Sequence, residues 1–509
     1  DSDADSDADT DADCDPGDEI CIDNAVYLCN EDGEPELVEE CEPPLICNKG
    51  MCVEDNECGE AMANHSNIGC EYWAVESDIS TVAQDQPYAV VVSNLDEIET
   101  VHVVIEARVG VDFATVTEVD VAPKSVHPFL LTGGEIDLPI KLEGQHGSYL
   151  KTGQAYRVTS DLPVAAYQFT PYAGLAGDDS TICTADGTLL LASSGLDKHY
   201  YVLGYPRTAG DSSMNVIAIE DDTVVSVIPA SSTLAGEGVS ALGAGVEQSF
   251  TMDAADVLQL NTTADVSGTY VEADKPVVVF GGNVSSNVPN GVTFADHMEH
   301  QMFPLSTWGT TFVAARSVIR NLTTAEDDYY RILAQQDGTA ITYSPEVAGA
   351  PAVLDAGEFA EFSANYSFEI AADQPILVGQ YLTGYEATGL PFDSPNGDPA
   401  FALLPPVDQF LSSYVFLAPD KYPVDYAIIT HPLRLEVLLD GDPVTANPDC
   451  AVEDLSAEWE ITRCLIDDFG HTVDADEGVG ITVWGYGGRI AYGYTGGLNL
   501  EEINPVNPE

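Results

Sequence analysis

From about residue 71 onward, apolar positions alternate with polar ones or gather in short runs, and Asp, Gly, Asn or Pro cuts in every few residues. Short β-branched and aromatic runs between turn residues predict strands rather than helices. The stretch from Tyr200 to Phe280 shows the pattern best. Its runs are Tyr200 to Leu203, Asn215 to Ile219, Thr223 to Ile228, Gln248 to Met252, Val257 to Leu260, Thr269 to Val271 and Val277 to Phe280. No stretch sustains a helical period. This strand density predicts an all-β chain of antiparallel β-sandwich-like modules, with β-propeller blades as the alternative.

One phrase punctuates the pattern at intervals of roughly a hundred residues. It reads Asp161-Leu162-Pro163-Val164, Asp274-Lys275-Pro276-Val277 and Asp373-Gln374-Pro375-Ile376, each between a β-rich run and an apolar one. The match extends further, because Leu354 to Phe362 repeats Met252 to Leu260. A diverged fourth copy covers Tyr426 to Thr430, Leu435 to Leu439 and Ile481 to Tyr486. Proline fixes φ and donates no ladder hydrogen bond, so Pro163, Pro276 and Pro375 are expected at equivalent entries to buried strands. The expected modules run 58–180, 181–297, 298–410 and 411–500, with a tail at 501–509.

Cysteine usage changes the picture at the N-terminus. Of 11 cysteines, Cys14, Cys21, Cys29, Cys41, Cys47 and Cys52 crowd into residues 14–57, a segment with few large apolar side chains. It is too small for its own core and calls for three disulfides, whose pairing the sequence leaves open. Cys58 with Cys70, and Cys450 with Cys464, are expected to close separate loops, leaving Cys183 unpaired. This usage implies an oxidising compartment, secreted or cell-surface, and a leader removed ahead of Asp1. No apolar run is long enough for a membrane helix.

Charge narrows the partners. With 86 acidic against 16 basic residues, the net charge is −70. Phosphate backbones require Lys and Arg, so nucleic acid is excluded. Residues 1–13 alternate Asp with Ser, Ala or Thr. They read as an extended tether, or as a calcium-ordered arm on Asp3, Asp5, Asp7, Asp9, Asp11 and Asp13, without the glycine turn and distal Glu of an EF-hand loop.

Catalytic signatures are weak. The densest cluster, Asp296-His297-Met298-Glu299-His300, offers two imidazoles and two carboxylates, but alternating strand side chains face opposite ways. Its expected role is structural, with His297 hydrogen-bonded at a module junction. Tyr72, Trp73, Trp308 and the run Tyr486 to Tyr494 are candidates for stacking on sugars, or for core anchors. Sequons stand at Asn64, Asn261, Asn283, Asn321 and Asn365.

Several of these motifs, in order, resemble the IgGFc-binding protein N-terminal domain family. They are Gly69 to Val75, Ser160 to Phe169, Asp274 to Gly282, Asp296-His297, Pro304 to Gly309 and Ala491 to Tyr494. The resemblance spans about residue 58 to 500. It implies a non-enzymatic extracellular protein without cofactor. Animal relatives are credited with antibody Fc binding, whereas bacterial ones carry a similar six-cysteine knot behind an acidic leader. The acidity and Asp-rich leader place this chain with the bacterial members. The family's cysteine pair before the Asp-His motif is replaced by Val284 or Ser285 and Ala295, so hydrogen bonds or an ion should hold the loop between Asn283 and Asp296. The expected function is adhesion or an extracellular structural, filament-forming role, with carbohydrate or glycoprotein binding as the alternative and an extracellular hydrolase as a minor one. Self-association is expected through the acidic arm or the segment Asn499 to Glu509, added as a strand to a sheet edge.

Overall fold

A computed structural model describes residues 14–504, apart from 15, 18, 23, 31–32, 81–82, 84–85, 133–137, 139–146, 173–183 and 392–396. The Asp-rich arm and Cys183 therefore lie outside the described residues. Among the described residues, one α-helix, Glu57–Ala63, accompanies a chain otherwise built of antiparallel strands and short 3-10 turns.

Four modules share one strand plan. In the first, strands Gly69–Ala74, Ala89–Asn94, Val101–Val109, Asp112–Val121, Val126–Leu130, Tyr156–Thr170 and Asp186–Leu190 follow in order. The sixth is the organiser. Its first half pairs with the first and third strands, and its second half with the second and seventh. The fourth strand extends the third and the fifth extends the second, so two sheets share one long strand. The same roles recur on Phe368–Tyr381 of the third module and Phe469–Tyr486 of the fourth. In the second module the long strand is divided into Tyr270–Ala273 and Val277–Ser286. A propeller blade would keep each sheet to itself. Here the crossing strand ties sheets into sandwiches.

The recurrent phrase marks that crossing. Pro163 and Pro375 lie inside continuous strands, and Pro276 sits in the gap of the divided one, where the chain leaves one sheet for the other. Proline suits a point where the ladder breaks. The aspartate has its own task. Asp161, Asp274 and Asp373 accept the backbone N–H of His102, Val224 and Ala340 at 2.7, 2.8 and 2.8 Å. Each donor is the second residue of its module's third strand. The fourth module crosses at Asp476-Glu477-Gly478, without proline, which hid it from sequence comparison.

A second repeated device clamps the first strand. The hydroxyl of Tyr200 accepts the Asp197 N–H at 2.9 Å and donates to the Val277 carbonyl at 2.9 Å. Tyr72 does the same between Gly69 and Val164, and Tyr414 between Leu411 and Val479. The third module has Phe312 there, with Gly309 paired directly to Ile376.

The modules are fused rather than strung. One buried cluster runs from Ala89 and Tyr167 through Met214 and Leu403 to Tyr494. The seventh strands, Asp186–Leu190, Asp296–Gln301, Phe401–Leu404 and Ala491–Thr495, contact one another in a cycle that brings the fourth module back to the first. Arginines staple successive junctions. Arg108 reaches Asp221 and the Ala254 carbonyl, and Arg463 reaches the Arg316 carbonyl and Ser367. Arg331 binds Asp265 at 2.9 Å and Glu361 at 2.8 Å while lying against Tyr205 and Phe359. Tyr149–Lys151, which lies between strands of the first module in sequence, instead pairs with Val257–Thr262 of the second.

The end of the chain closes the cycle. Asn67 and Leu498 exchange backbone and side-chain bonds, Leu500 N–H donates to His65, and Asn504 binds Ser306. Leu498 and Leu500 are buried. Residues Asn499 to Asn504 are thus held by their own chain. In the segment expected to bridge subunits, Leu500 is therefore engaged within the chain while Ile503 is 38% exposed; residues 505–509 lie outside the described set.

Candidate functional site

The Asp-His cluster sits at the middle of the molecule. Asp296–Gln301 is the seventh strand of the second module, and every one of its residues is buried. Alternation separates the imidazoles. His300 holds the Gln301 carbonyl through Nδ1 at 2.7 Å and packs edge-on to Phe303 and Phe401. The His297 ring lies 3.6 Å from the Glu299 carboxylate and makes no hydrogen bond among the described residues. The expectation of a hydrogen-bonded His297 is therefore corrected: its backbone N–H, donating to Thr184, provides the junction contact.

Acids from every module surround this strand. Glu299 accepts from Gln168 and Thr170, Asp186 accepts from the N–H groups of Glu299 and Gly493, and Asp296 accepts from Ala185. Asp425 accepts from Tyr492 at 2.7 Å, and Asp398 caps Tyr385 at 3.1 Å. Burial pushes the carboxyls of Asp186 and Asp296 well above their usual range. Burial raises Asp398 to about 7 and Asp425 to about 8, and lowers His300 to about 4. Burial holds Asp186, Asp296 and His300 neutral inside a packed junction, whereas Asp398 and Asp425 titrate near neutral pH. They glue modules together through charge-assisted and neutral hydrogen bonds and present no face to a substrate. Among the described residues no group of three His, Cys, Asp or Glu is disposed to hold a metal ion.

The candidate sugar-stacking aromatics are core. Tyr72, Trp73, Trp308, Tyr486, Tyr492 and Tyr494 are each no more than 2% exposed. The exposed-platform reading fails for them, because the fold needs their area inside: Tyr492 stacks with Tyr494, which packs on Tyr167 across the junction of modules four and one. The sequon residues Asn261 and Asn283 are also buried, whereas Asn64 and Asn365 are exposed. Asn283 binds the Tyr205 and Pro206 carbonyls, and Ser286 binds Pro206, so hydrogen bonds anchor the start of the loop between Asn283 and Asp296.

The N-terminal cysteines pair as Cys14–Cys29, Cys21–Cys47 and Cys41–Cys52, followed by Cys58–Cys70, with Cys450–Cys464 in the fourth module. The fourth bridge fixes the helix Glu57–Ala63 against the first module. Asn56 caps it by accepting the Gly59 N–H at 2.9 Å. Between helix and module opens a cleft of about 450 Å³. Its polar walls include Glu54, Glu71, Asp161, Ser160 and Ser193, with the half-exposed Met62 at the rim. Glu71 is fixed by Ser193 at 2.9 Å and by the Trp73 indole at 3.3 Å, and Asp161 by its cap on His102. A preformed acidic cleft suits a basic or hydrogen-bonding side chain of a partner. Only the spatial meeting of distant segments creates it, so no local sequence signal could reveal it.

The sequence model of the family described as IgGFc binding protein matches residues 186–485, from the seventh strand of the first module almost to the end of the long strand of the fourth. IgGFc-binding protein of Homo sapiens is 26% identical over 330 residues, which is 64% of this chain and 6% of that protein. The chain thus spans a small part of that curated relative. The match covers more than half of the chain, and the chain belongs to the IgGFc binding protein family.

Proposed function

We propose that this member of the IgGFc binding protein family is a secreted or cell-surface, non-enzymatic binding protein that acts in adhesion or as extracellular structural material. The observation that supports it most is the disposition of its chemistry. The described acid and imidazole clusters are buried module glue, while the surface offers sheet edges and an acidic cleft. Disulfides fit an oxidising location, and no helix of the described residues is long and apolar enough to cross a membrane. The relative's name points to a protein ligand, and the acidity of the cleft favours a basic segment over a glycan or nucleic acid.

Binding of the immobilised protein to a secreted-protein panel that includes purified Fc tests the adhesive reading, and negative-stain microscopy tests the structural one. Saturable, salt-sensitive capture lost on Glu71→Lys supports adhesion through the cleft. Ordered filaments without such capture support structural material. Dispersed particles that capture nothing on the panel would overturn both.

A further inference from the structure

The junction between the first and second modules carries a concentration of buried oxygen atoms that packing alone does not explain. After the strand Gly69–Ala74 the chain runs inward, and Glu76, Ser77 and Asp78 are buried although all three are polar. They face the outer side of the second module's sheet. On the strand Val257–Thr262, Leu258 and Leu260 enter that module's core, so Gln259 and Asn261 point the other way, toward the first module. Asn215 pairs with Gln259 on the neighbouring strand and is flanked by the core residues Met214 and Val216, which puts it on the same side. Tyr149 pairs with Gln259 from the opposite edge.

Two contacts aim this face at the buried segment. Asn215 Nδ2 lies 3.4 Å from Ser77 Oγ, and Asn261 Nδ2 lies 3.3 Å from Asp78 Oδ2. Asn215, Gln259 and Asn261 are 3%, 0% and 1% exposed. Yet Asn215 Oδ1, Asn261 Oδ1, both amide atoms of Gln259 and the Tyr149 hydroxyl have no hydrogen-bond partner among the described residues. Each buried orphan of this kind costs about 1–3 kcal/mol, and native proteins hold only a few per hundred residues. Several in one junction mark a built polar site.

We propose that this junction binds a calcium ion through Asp78 and the amide oxygens of Asn215, Gln259 and Asn261, locking the first module to the second. The donor set selects the ion. It contains carboxylate, amide and hydroxyl oxygen but neither thiolate nor imidazole, which favours a hard cation over zinc or copper. Calcium takes several oxygens in flexible geometry, whereas magnesium demands a compact octahedron with its own waters. Local charge permits it: Asp78 and Glu237 stand against the ammonium of Lys151. None of these donors belongs to the acidic arm, residues 1–13 of the sequence.

The test uses the full chain, stripped of metal with chelator, and measures calcium by calorimetry alongside thermal unfolding in calcium, magnesium or sodium. Three variants accompany it: arm aspartates changed to Asn, Gln259→Leu with Asn261→Leu, and Asn261→Asp. One saturable calcium site and a rise in Tm are expected in the wild type and the arm variant. The leucine pair should lose both, and Asn261→Asp should bind about tenfold tighter through its added carboxylate. The last variant reads the site even when the leucine pair does not fold. A wild type without saturable calcium binding, or a site abolished by the arm variant and indifferent to Asn261→Asp, overturns the proposal.

Discussion

Asp274 illustrates how one side chain is reused along the chain. Its carboxylate caps the third strand at Val224, as Asp161 and Asp373 do in their modules, and the adjoining proline marks the crossing between sheets. Asp274→Ala is expected to lower stability by about 1 kcal/mol, the usual net value of such a bond, measured by denaturant unfolding. A larger cost attends the buried tyrosine clamp. Tyr200→Phe leaves the Asp197 N–H and Val277 carbonyl unpaired and should cost about 1–3 kcal/mol. Phe312 stands at the same place in the third module, where the first strand pairs at Gly309 and Ile376 without a tyrosine hydroxyl. The aspartates and prolines were legible because a turn-like phrase survives as a string. The clamp was not, because Tyr72, Tyr200 and Tyr414 are set by depth and register rather than by a local motif. His297 was visible as chemistry, but nothing in its neighbours along the chain showed that it would be sealed inside.

At the level of strands and modules, the period-two pattern and the repeat spacing gave the all-β class and the sandwich plan. They could not show that two sheets share one long strand, because a crossing looks like a strand ending in a turn. Nor could they assign Tyr149–Lys151 to the second module's sheet, a pairing that leaps about a hundred residues and is paid for only in the folded state. Arg331 carries the clearest prediction at this scale. It is buried between Asp265 and Glu361 and sandwiched by aromatic rings at the junction of the second and third modules. Arg331→Ala leaves two carboxylates unpaired and should cost about 3–5 kcal/mol. Arg331→Met, paired with Asp265→Leu and Glu361→Leu, should recover much of that in the same melting assay, since buried ion pairs are replaceable by apolar groups as a set. If the single and triple variants melt alike, the arginine matters through its volume and not its charge.

For the whole molecule, charge placement predicts a pH response opposite to that of a typical acidic surface. Asp186, Asp296, Asp398 and Asp425 have folded pKa values raised by burial, so the stability they contribute is fully present below about 4 and is lost as pH rises through the folded values. His471 acts in the same direction. Burial disfavours its charge, but the hydrogen bonds to Asp440 and Asp467 outweigh that and raise it, so its contribution is also lost on going alkaline. His300, His431 and His127 act in the opposite sense, lowered by burial, and their contribution is lost only as pH falls below about 6.5. Between pH 8 and 6.5 the carboxyl groups and His471 therefore decide the sign, and acidification should stabilise the fold. Asp425, raised to about 8, and Asp398, raised to about 7, titrate inside that window. Each should return about 1–2 kcal/mol across it. Calorimetric melts at constant ionic strength should show Tm rising as pH is lowered from 8 to 6.5. Asp425→Asn keeps an acceptor for Tyr492 and removes the titration, so it should raise Tm at pH 8 and flatten the profile. A wild-type Tm that falls over this interval, or a variant with an unchanged slope, would show that the central acids are ionised and that the modules are held together in another way.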